Sequence, residues 1–301
     1  MANVLGTTTP VLIVQRALEL VFTKRPLLRM VSLNLSDPNG DRTALFNQQV
    51  TSRILNIPAV NNFGTGAVDT AYTDVPVTID QFKEVHLAFT PQEYSGTSRN
   101  LIDEAAAPVA TAIANHLMDT LAARWIAANF ANSTTVASGW TYTNTILPIR
   151  NALVGRGVPG DTFFFACSSA VYGALLADTT VVAALNNPSN GDAIRTGMLP
   201  QVGGLIPMEY PGIPNTGNMV GFAGSKDSTV IANRIPSDPQ SIMPGVAYPG
   251  TFDIVTDPGS GFSVVLNKFI GQSDLKANYR VLVMYGTAKG AGTNGQILKT
   301  A

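Results

Sequence analysis

Charge is what this sequence has least of. Only 13% of its 301 residues are Asp, Glu, Lys or Arg, against about a quarter in an ordinary soluble protein. The formal net charge is −1. A dedicated nucleic-acid binder neutralises phosphates with a basic patch, and neither such a patch nor a run of five like charges occurs here. Gly, Ala, Thr, Asn, Val and Pro fill the vacated positions. Composition alone leaves two readings open. One is a tightly folded neutral enzyme. The other is a protein that spends its surface on copies of itself, since interface cores are depleted in charge.

Cysteine is almost absent. The single Cys167 excludes an internal disulfide and a cysteine-based zinc site. It ends the apolar run Thr162-Phe163-Phe164-Phe165-Ala166-Cys167, which reads as a buried thiol, not a nucleophile. No basic leader with a cleavage pattern precedes residue 20. No stretch of about 18 uncharged apolar residues suggests a membrane span. Synthesis in the cytosol is the expectation.

The chemistry-bearing motifs are few. Gly155-Arg156-Gly157-Val158-Pro159-Gly160 fits the dinucleotide pattern G-x-G-x-x-G, but that pattern needs a strand before it and a helix after it. Here the order is reversed, so the glycines read as a turn. Gly290-Ala291-Gly292-Thr293-Asn294-Gly295 fits as well, with too few residues after it for the helix that would hold a pyrophosphate. His86 and His116 are the only histidines, and no G-x-S-x-G or H-E-x-x-H accompanies them. Asp103 and Glu104 suit a helix N-terminus better than acid–base catalysis. The sequons at Asn34 and Asn132 carry no weight without a secretory signal. No catalytic, cofactor or metal residue is therefore assigned.

What is present is an order of parts. At 301 residues one core stops growing and roughly two units are expected. Thr9 and Pro10 can open an amphipathic helix carrying Val11, Val14, Leu18 and Val21, which Pro26 ends. After the turn signal Ser36–Asp41, strand-like pieces at 43–50 and 69–79 flank the polar, glycine-rich stretch Asn61-Asn62-Phe63-Gly64-Thr65-Gly66. Together they read as a long two-stranded excursion. A lone hairpin is marginal in water, and this one has few apolar residues, so a neighbouring subunit is expected to support it.

Val85, Leu87 and Phe89 alternate with polar neighbours, as a half-buried strand does. Val109, Ile113, Leu117, Leu121 and Trp125 then recur at i, i+4 and predict the longest helix, about 98–130. At ~1.5 Å per residue it would run about 45 Å, with Pro108 a mild kink. Residues 133–265 mix helices (145–154, 169–176) with strands (162–166, 219–222, 229–231). Strands at 263–266 and 279–285 follow, and Gly290–Gly295 reads as a loose tail.

That order resembles the major capsid fold of tailed bacteriophages, named after phage Hong Kong 97. Local text agrees. Val75-Pro76-Val77-Thr78-Ile79-Asp80-Gln81-Phe82-Lys83-Glu84-Val85-His86-Leu87-Ala88-Phe89-Thr90 is similar to the family's strand between extended loop and spine helix. Asn100-Leu101-Ile102-Asp103-Glu104 resembles the start of the spine. Ala193-Ile194-Arg195-Thr196-Gly197 through Gly204, and Asn218-Met219-Val220-Gly221-Phe222, resemble the axial domain.

The resemblance implies an α+β chain with an N-terminal arm (1–40) and an extended loop (41–83). A peripheral domain (84–135 and 264–289) would carry the spine helix, followed by a mixed α/β axial domain (136–263) and a C-terminal tail (290–301). It implies a non-enzymatic coat protein that assembles with itself into pentamers and hexamers of an icosahedral shell. That shell would enclose double-stranded DNA without sequence-specific binding. A separate scaffolding protein is expected, because the long helix starts too early to leave room for a fused one. A portal and a decoration protein are further partners, with no membrane involved. The protein would reside in the virion after assembly in the host cytoplasm. Inter-subunit contacts are expected at Val11, Leu18 and Phe22 of the arm, and at Asn61, Asn62, Phe63, Gly64 and Gly66 of the loop. No lysine lies between Arg53 and Asp80, so no covalent Lys–Asn cross-link is expected. The alternatives are an encapsulin-like compartment shell and, more remotely, a soluble cytosolic α/β enzyme.

Overall fold

The computed structural model describes residues 15, 18, 26–34, 46–55, 60, 62, 72–96, 101–137, 139–160, 162–181, 199, 201–214, 216–237, 250–257, 261–271 and 273–301. Two sheets sandwich one long helix, and a two-stranded hairpin projects from the larger sheet. In chain order the strands are β1 (Ser32–Asn34), β2 (Gln49–Leu55), β3 (Tyr72–Thr78) and β4 (Gln81–Phe89). Helices α1 (Pro91–Ser95) and α2 (Leu101–Ala122) come next, followed by β5 (Ser133–Val136) and α3 (Leu147–Gly155). Then come β6 (Phe163–Cys167), α4 (Ser169–Ala177), β7 (Leu205–Glu209), β8 (Met219–Gly224) and β9 (Thr229–Arg234). The chain closes with β10 (Gly250–Thr256), β11 (Ser263–Ile270), β12 (Ala277–Lys289) and β13 (Gly295–Thr300).

The larger sheet is built around β12. Its order is β1-β9-β12-β11-β10, with β4 also paired to β12. One side of β12 meets β4 from Ala277 to Tyr285. The other meets β11 up to Leu282 and β9 from Met284 onward. Between the ends of β11 and β9 the ladder has a gap, and the Asn233 side chain fills it. Its amide donates to the carbonyls of Ser263 (3.0 Å) and Met284 (3.1 Å), and its oxygen accepts from the Ser263 N–H (2.7 Å). A buried amide thus does the work of a missing strand, satisfying backbone groups that would be costly to leave unpaired.

The expected apolar stripe is real. Val109, Ile113, Leu117, Leu121 and Trp125 are all buried, in a cluster with Ile231, Val264, Leu266, Val281, Val283 and Tyr285 of the larger sheet and Phe164, Phe222 and Ile297 of the smaller one. The helix is shorter than expected. It spans 22 residues, Leu101–Ala122, or about 33 Å. Past Ala122 the bonding tightens to three-residue steps, Arg124 N–H to Leu121 and Trp125 N–H to Ala122. There Trp125 turns flat onto Phe222 (5.0 Å, 6°) and donates its indole N–H to Thr229 (3.2 Å). Packing of the indole overrides continuation of the helical repeat.

The smaller sheet has the order β5-β13-β8-β6-β7. Strand β6 is apolar throughout because both its faces are covered. Phe164 and Ala166 face the helix α2 core, while Phe163, Phe165 and Cys167 join Ile149 and Leu153 of α3 and Val171 and Leu175 of α4.

Two boundaries differ from expectation. Residues 290–301 are no loose tail, since β13 pairs with both β5 and β8 and buries Ile297 and Leu298. The consecutive pair Ile297-Leu298, just past Gly295, was the available signal of a strand covered on both faces. Strands β9 and β10, expected in the axial unit, belong instead to the larger sheet with β4, β11 and β12.

Candidate assembly surfaces

The hairpin is the most conspicuous surface element. Strands β2 and β3 pair in antiparallel register from Gln49↔Thr78 to Leu55↔Tyr72, with the exposed cross-strand pair Arg53–Asp74 at 3.3 Å. Its inner base does not wait for a neighbour. Val50, Ile54, Val75, Val77 and Ile79 bury themselves against Val230, Ala232 and Met284 of the same chain. That corrects the expectation that another subunit must supply all the support. The approach is close: a Cβ on Gly286 of β12 would stand 2.0 Å from the Thr78 carbonyl oxygen, so only glycine fits where the hairpin crosses. Arg124 and Asp80 add an ion pair at 3.7 Å between the helix end and the hairpin base. Toward the far end the hairpin is exposed, at Tyr72 and at Val60, which is fully accessible.

The residues expected at subunit contacts divide sharply. Val11, Phe22, Asn61, Phe63, Gly64 and Gly66 lie outside the described residues. Asn62 is exposed. Leu18 is 2% exposed and packs into the chain's own core, so it has no surface left for a second subunit.

Other exposed apolar groups escaped the sequence reading. Phe82 lies on the face of β4 opposite Val85 and Leu87, half-exposed against Phe46 (6.4 Å). Its place out of phase with the buried alternation was the signal. Tyr94, Ile254, Ile270 and Leu275 are also exposed. Tyr94 sits on α1, a helix marked in sequence by the capping box Thr90-Pro91-Gln92-Glu93.

The groups that might do chemistry are otherwise employed. Burial pushes the Cys167 thiol up to about 12, which leaves it protonated and inert. The His86 Nε2 is 2.9 Å from Asn278 Oδ1, and its ring stacks on Phe269, over which Arg280 also lies at 4.8 Å. His116 is wedged between α2 and the larger sheet, edge-on to Tyr285. Its pKa is lowered by desolvation first and by Lys83 second, against an opposing pull from Asp119. Asp119 accepts a hydrogen bond from the Tyr210 hydroxyl, tying the helix to the smaller sheet's edge.

The glycine motif at 155–160 is the turn from α3 into β6, with Gly157 and Gly160 at positive φ. Arg156 within it grips the start of β13. It donates to the carbonyls of Thr293 (3.1 Å) and Gly295 (3.2 Å) and to Gln296 Oε1 (2.6 Å). Among the described residues no group of three or more His, Cys, Asp or Glu could hold a metal. No described helix is long and apolar enough to cross a membrane.

A hairpin excursion, a long helix between two sheets and a C-terminal strand returning to the second sheet define the fold of this chain. No protein-family model matches the sequence, and no curated protein matches it either. Solved structures do match. The capsid of cyanophage P-SCSP1u aligns with a TM-score of 0.56 at 11% identity, over 90% of this chain and 86% of that one. The capsid of a native GTA particle aligns at 0.55 and 10%, over 100% and 93%. A virus-like particle from Pyrococcus furiosus aligns at 0.52 and 12%, over 95% and 98%. The chain has the Hong Kong 97-type fold along its whole length.

Proposed function

We propose that this chain is the major capsid protein of a tailed phage, a structural subunit and not an enzyme. It assembles with itself into the pentamers and hexamers of an icosahedral shell that encloses double-stranded DNA. The observation that carries the reading is agreement in fold with capsid chains over 90–100% of this chain. Three features support it. The hairpin base is anchored while Tyr72, farther out on β3, is exposed. Charge is scarce. The reactive groups named above are all committed to packing or hydrogen bonds. Near-neutral charge suits a wall that contains DNA without gripping it. A separate scaffolding protein, a portal and a decoration protein are the partners this role calls for, with assembly in the host cytoplasm and residence in the virion.

A second reading is a protein-compartment shell that packages enzymes, favoured by the match to the Pyrococcus furiosus particle over 98% of that chain. Expression of the chain alone, followed by negative-stain electron microscopy and light scattering, tests the shell role. Shells, rings or curved sheets support it. A small oligomer that stays small when co-expressed with its scaffolding protein refutes it. Nuclease-protected DNA in native particles selects the phage reading, and an enclosed enzyme selects the compartment.

A further inference from the structure

Leu275 adopts a conformation that its own subunit does not explain. It lies in the turn between β11 and β12 at φ 52°, the left-handed region where a Cβ crowds the following carbonyl. The other described non-glycine residues at positive φ are Asn47 and Asn218, a residue type that tolerates it. Leu275 obtains little packing in exchange, since the residue is 62% exposed. The turn is nonetheless firmly held. The Leu275 N–H donates to the Gly271 carbonyl (2.9 Å) and the Gly271 N–H to the Lys276 carbonyl (2.9 Å). The Tyr94 hydroxyl donates to the Leu275 carbonyl (3.4 Å), and the Thr90–Glu93 capping box fixes the helix that carries Tyr94. Strain that the surroundings maintain, in order to display an apolar side chain, points to a use outside the subunit.

A receptor for that side chain lies at the same end of the same sheet. An open concavity of about 470 Å³ is lined by Gly250, Thr251, Lys268, Ile270, Ala277 and Tyr279, among others. It holds several times the volume of a leucine side chain, and Ile270 leaves an apolar edge 61% exposed beside it. The charges match across the two features. Leu275 is flanked by the pair Lys276–Asp274 at 3.1 Å, and the concavity is rimmed by the pair Lys268–Asp253 at 2.8 Å.

We propose that Leu275 of one copy seats in this concavity of a second copy, with Asp274 brought to Lys268 and Lys276 to Asp253. Knob and hole are different surfaces, so the contact can repeat head to tail from one copy to the next. The inference rests on the shell reading and names one of its contacts.

Leu275→Gly separates this role from a structural one. Glycine relieves the strain, so the unassembled variant melts at or above the wild-type temperature, while the concentration needed for assembly rises at least about tenfold, as loss of a central anchor predicts. Single variants Leu275→Cys and Thr251→Cys, co-assembled and mildly oxidised, form a disulfide between unlike copies. Cys167, fully buried, does not interfere. Wild-type particles that form while Leu275→Gly assembles equally well, with no mixed disulfide, overturn this contact and leave the shell reading standing. Wild-type chain that never assembles, with or without its scaffold, overturns both.

Discussion

Replacing Gly286 with alanine should pry the hairpin off its base. The added Cβ would lie 2.0 Å from the Thr78 oxygen, 2.8 Å from its carbonyl carbon and 3.2 Å from the Ile79 Cα. Ordinary contact starts at 3.4 Å, so the two backbones must part by more than 1 Å. Neither can swing aside as a long side chain would. Overpacking typically costs about 1–3 kcal/mol, and a backbone obstacle belongs at the top of that range. The ceiling comes from the seats the hairpin would leave. Val77 and Ile79, both fully buried, are worth about 1.5–3 kcal/mol each, or about 3–6 together.

A loss of about 3 kcal/mol in urea unfolding of the unassembled subunit is therefore expected. Tryptic cleavage at the exposed Arg53 should quicken, because the hairpin opens more often. Gly173→Ala in α4 is the matched control. Nothing lies within 4 Å of its added Cβ, and a helical Gly→Ala change gains about 0.5–1 kcal/mol. If Gly286→Ala unfolds within about 0.5 kcal/mol of wild type, a surface-like effect, and Arg53 is cut no faster, the close crossing does not hold the hairpin and the reasoning fails.

Three further outcomes follow from the same geometry. The His116 pKa is depressed, so the unfolded chain binds more protons than the folded one just below the ordinary value of 6.5. Wild-type stability should be whole above that pH and decline as pH falls through it toward the lowered folded value. His116→Phe should flatten that part of the denaturation–pH profile. Asn233→Leu strands the Ser263 N–H in a buried ladder gap, and calorimetry should show a loss of at least about 1–3 kcal/mol. Arg156→Ala removes three donors from the start of β13, so amide exchange at Ile297 and Leu298 should accelerate while that at Leu266 and Val281 stays slow.

The helix stripe from Val109 to Trp125 and the alternation of Val85, Leu87 and Phe89 were legible because burial on one face imposes a period. The excursion was legible too, from missing helical period and turn residues. Its support was not, because Val50, Ile54, Val75 and Val77 look sparse until Val230, Ala232 and Met284 arrive from more than 150 residues away. The helix end was misplaced for a like reason: only the distant Phe222 tells Trp125 to leave the helix. Sheet membership of β9 and β10 escaped because strand partners are set by topology, and side-chain pattern says which face is buried but not by what. The strained Leu275 was invisible, since a leucine in a turn has no pattern to break.

The position of β13 governs when this protein can finish folding. It is made after every other described strand, yet it lies inside the smaller sheet, between β5 and β8. That sheet cannot close until Ile297 and Leu298 have left the ribosome, by which time the larger sheet has all its strands. Interior pairing between residues about 160 positions apart, as Ser133↔Ile297 is, forms late and slowly. A chain cut short before β13 would lack an interior strand and leave Phe130 and Phe222 uncovered, a lesion that quality control can read. Translation itself thus becomes the clock, withholding a closed smaller sheet until β13 has been made.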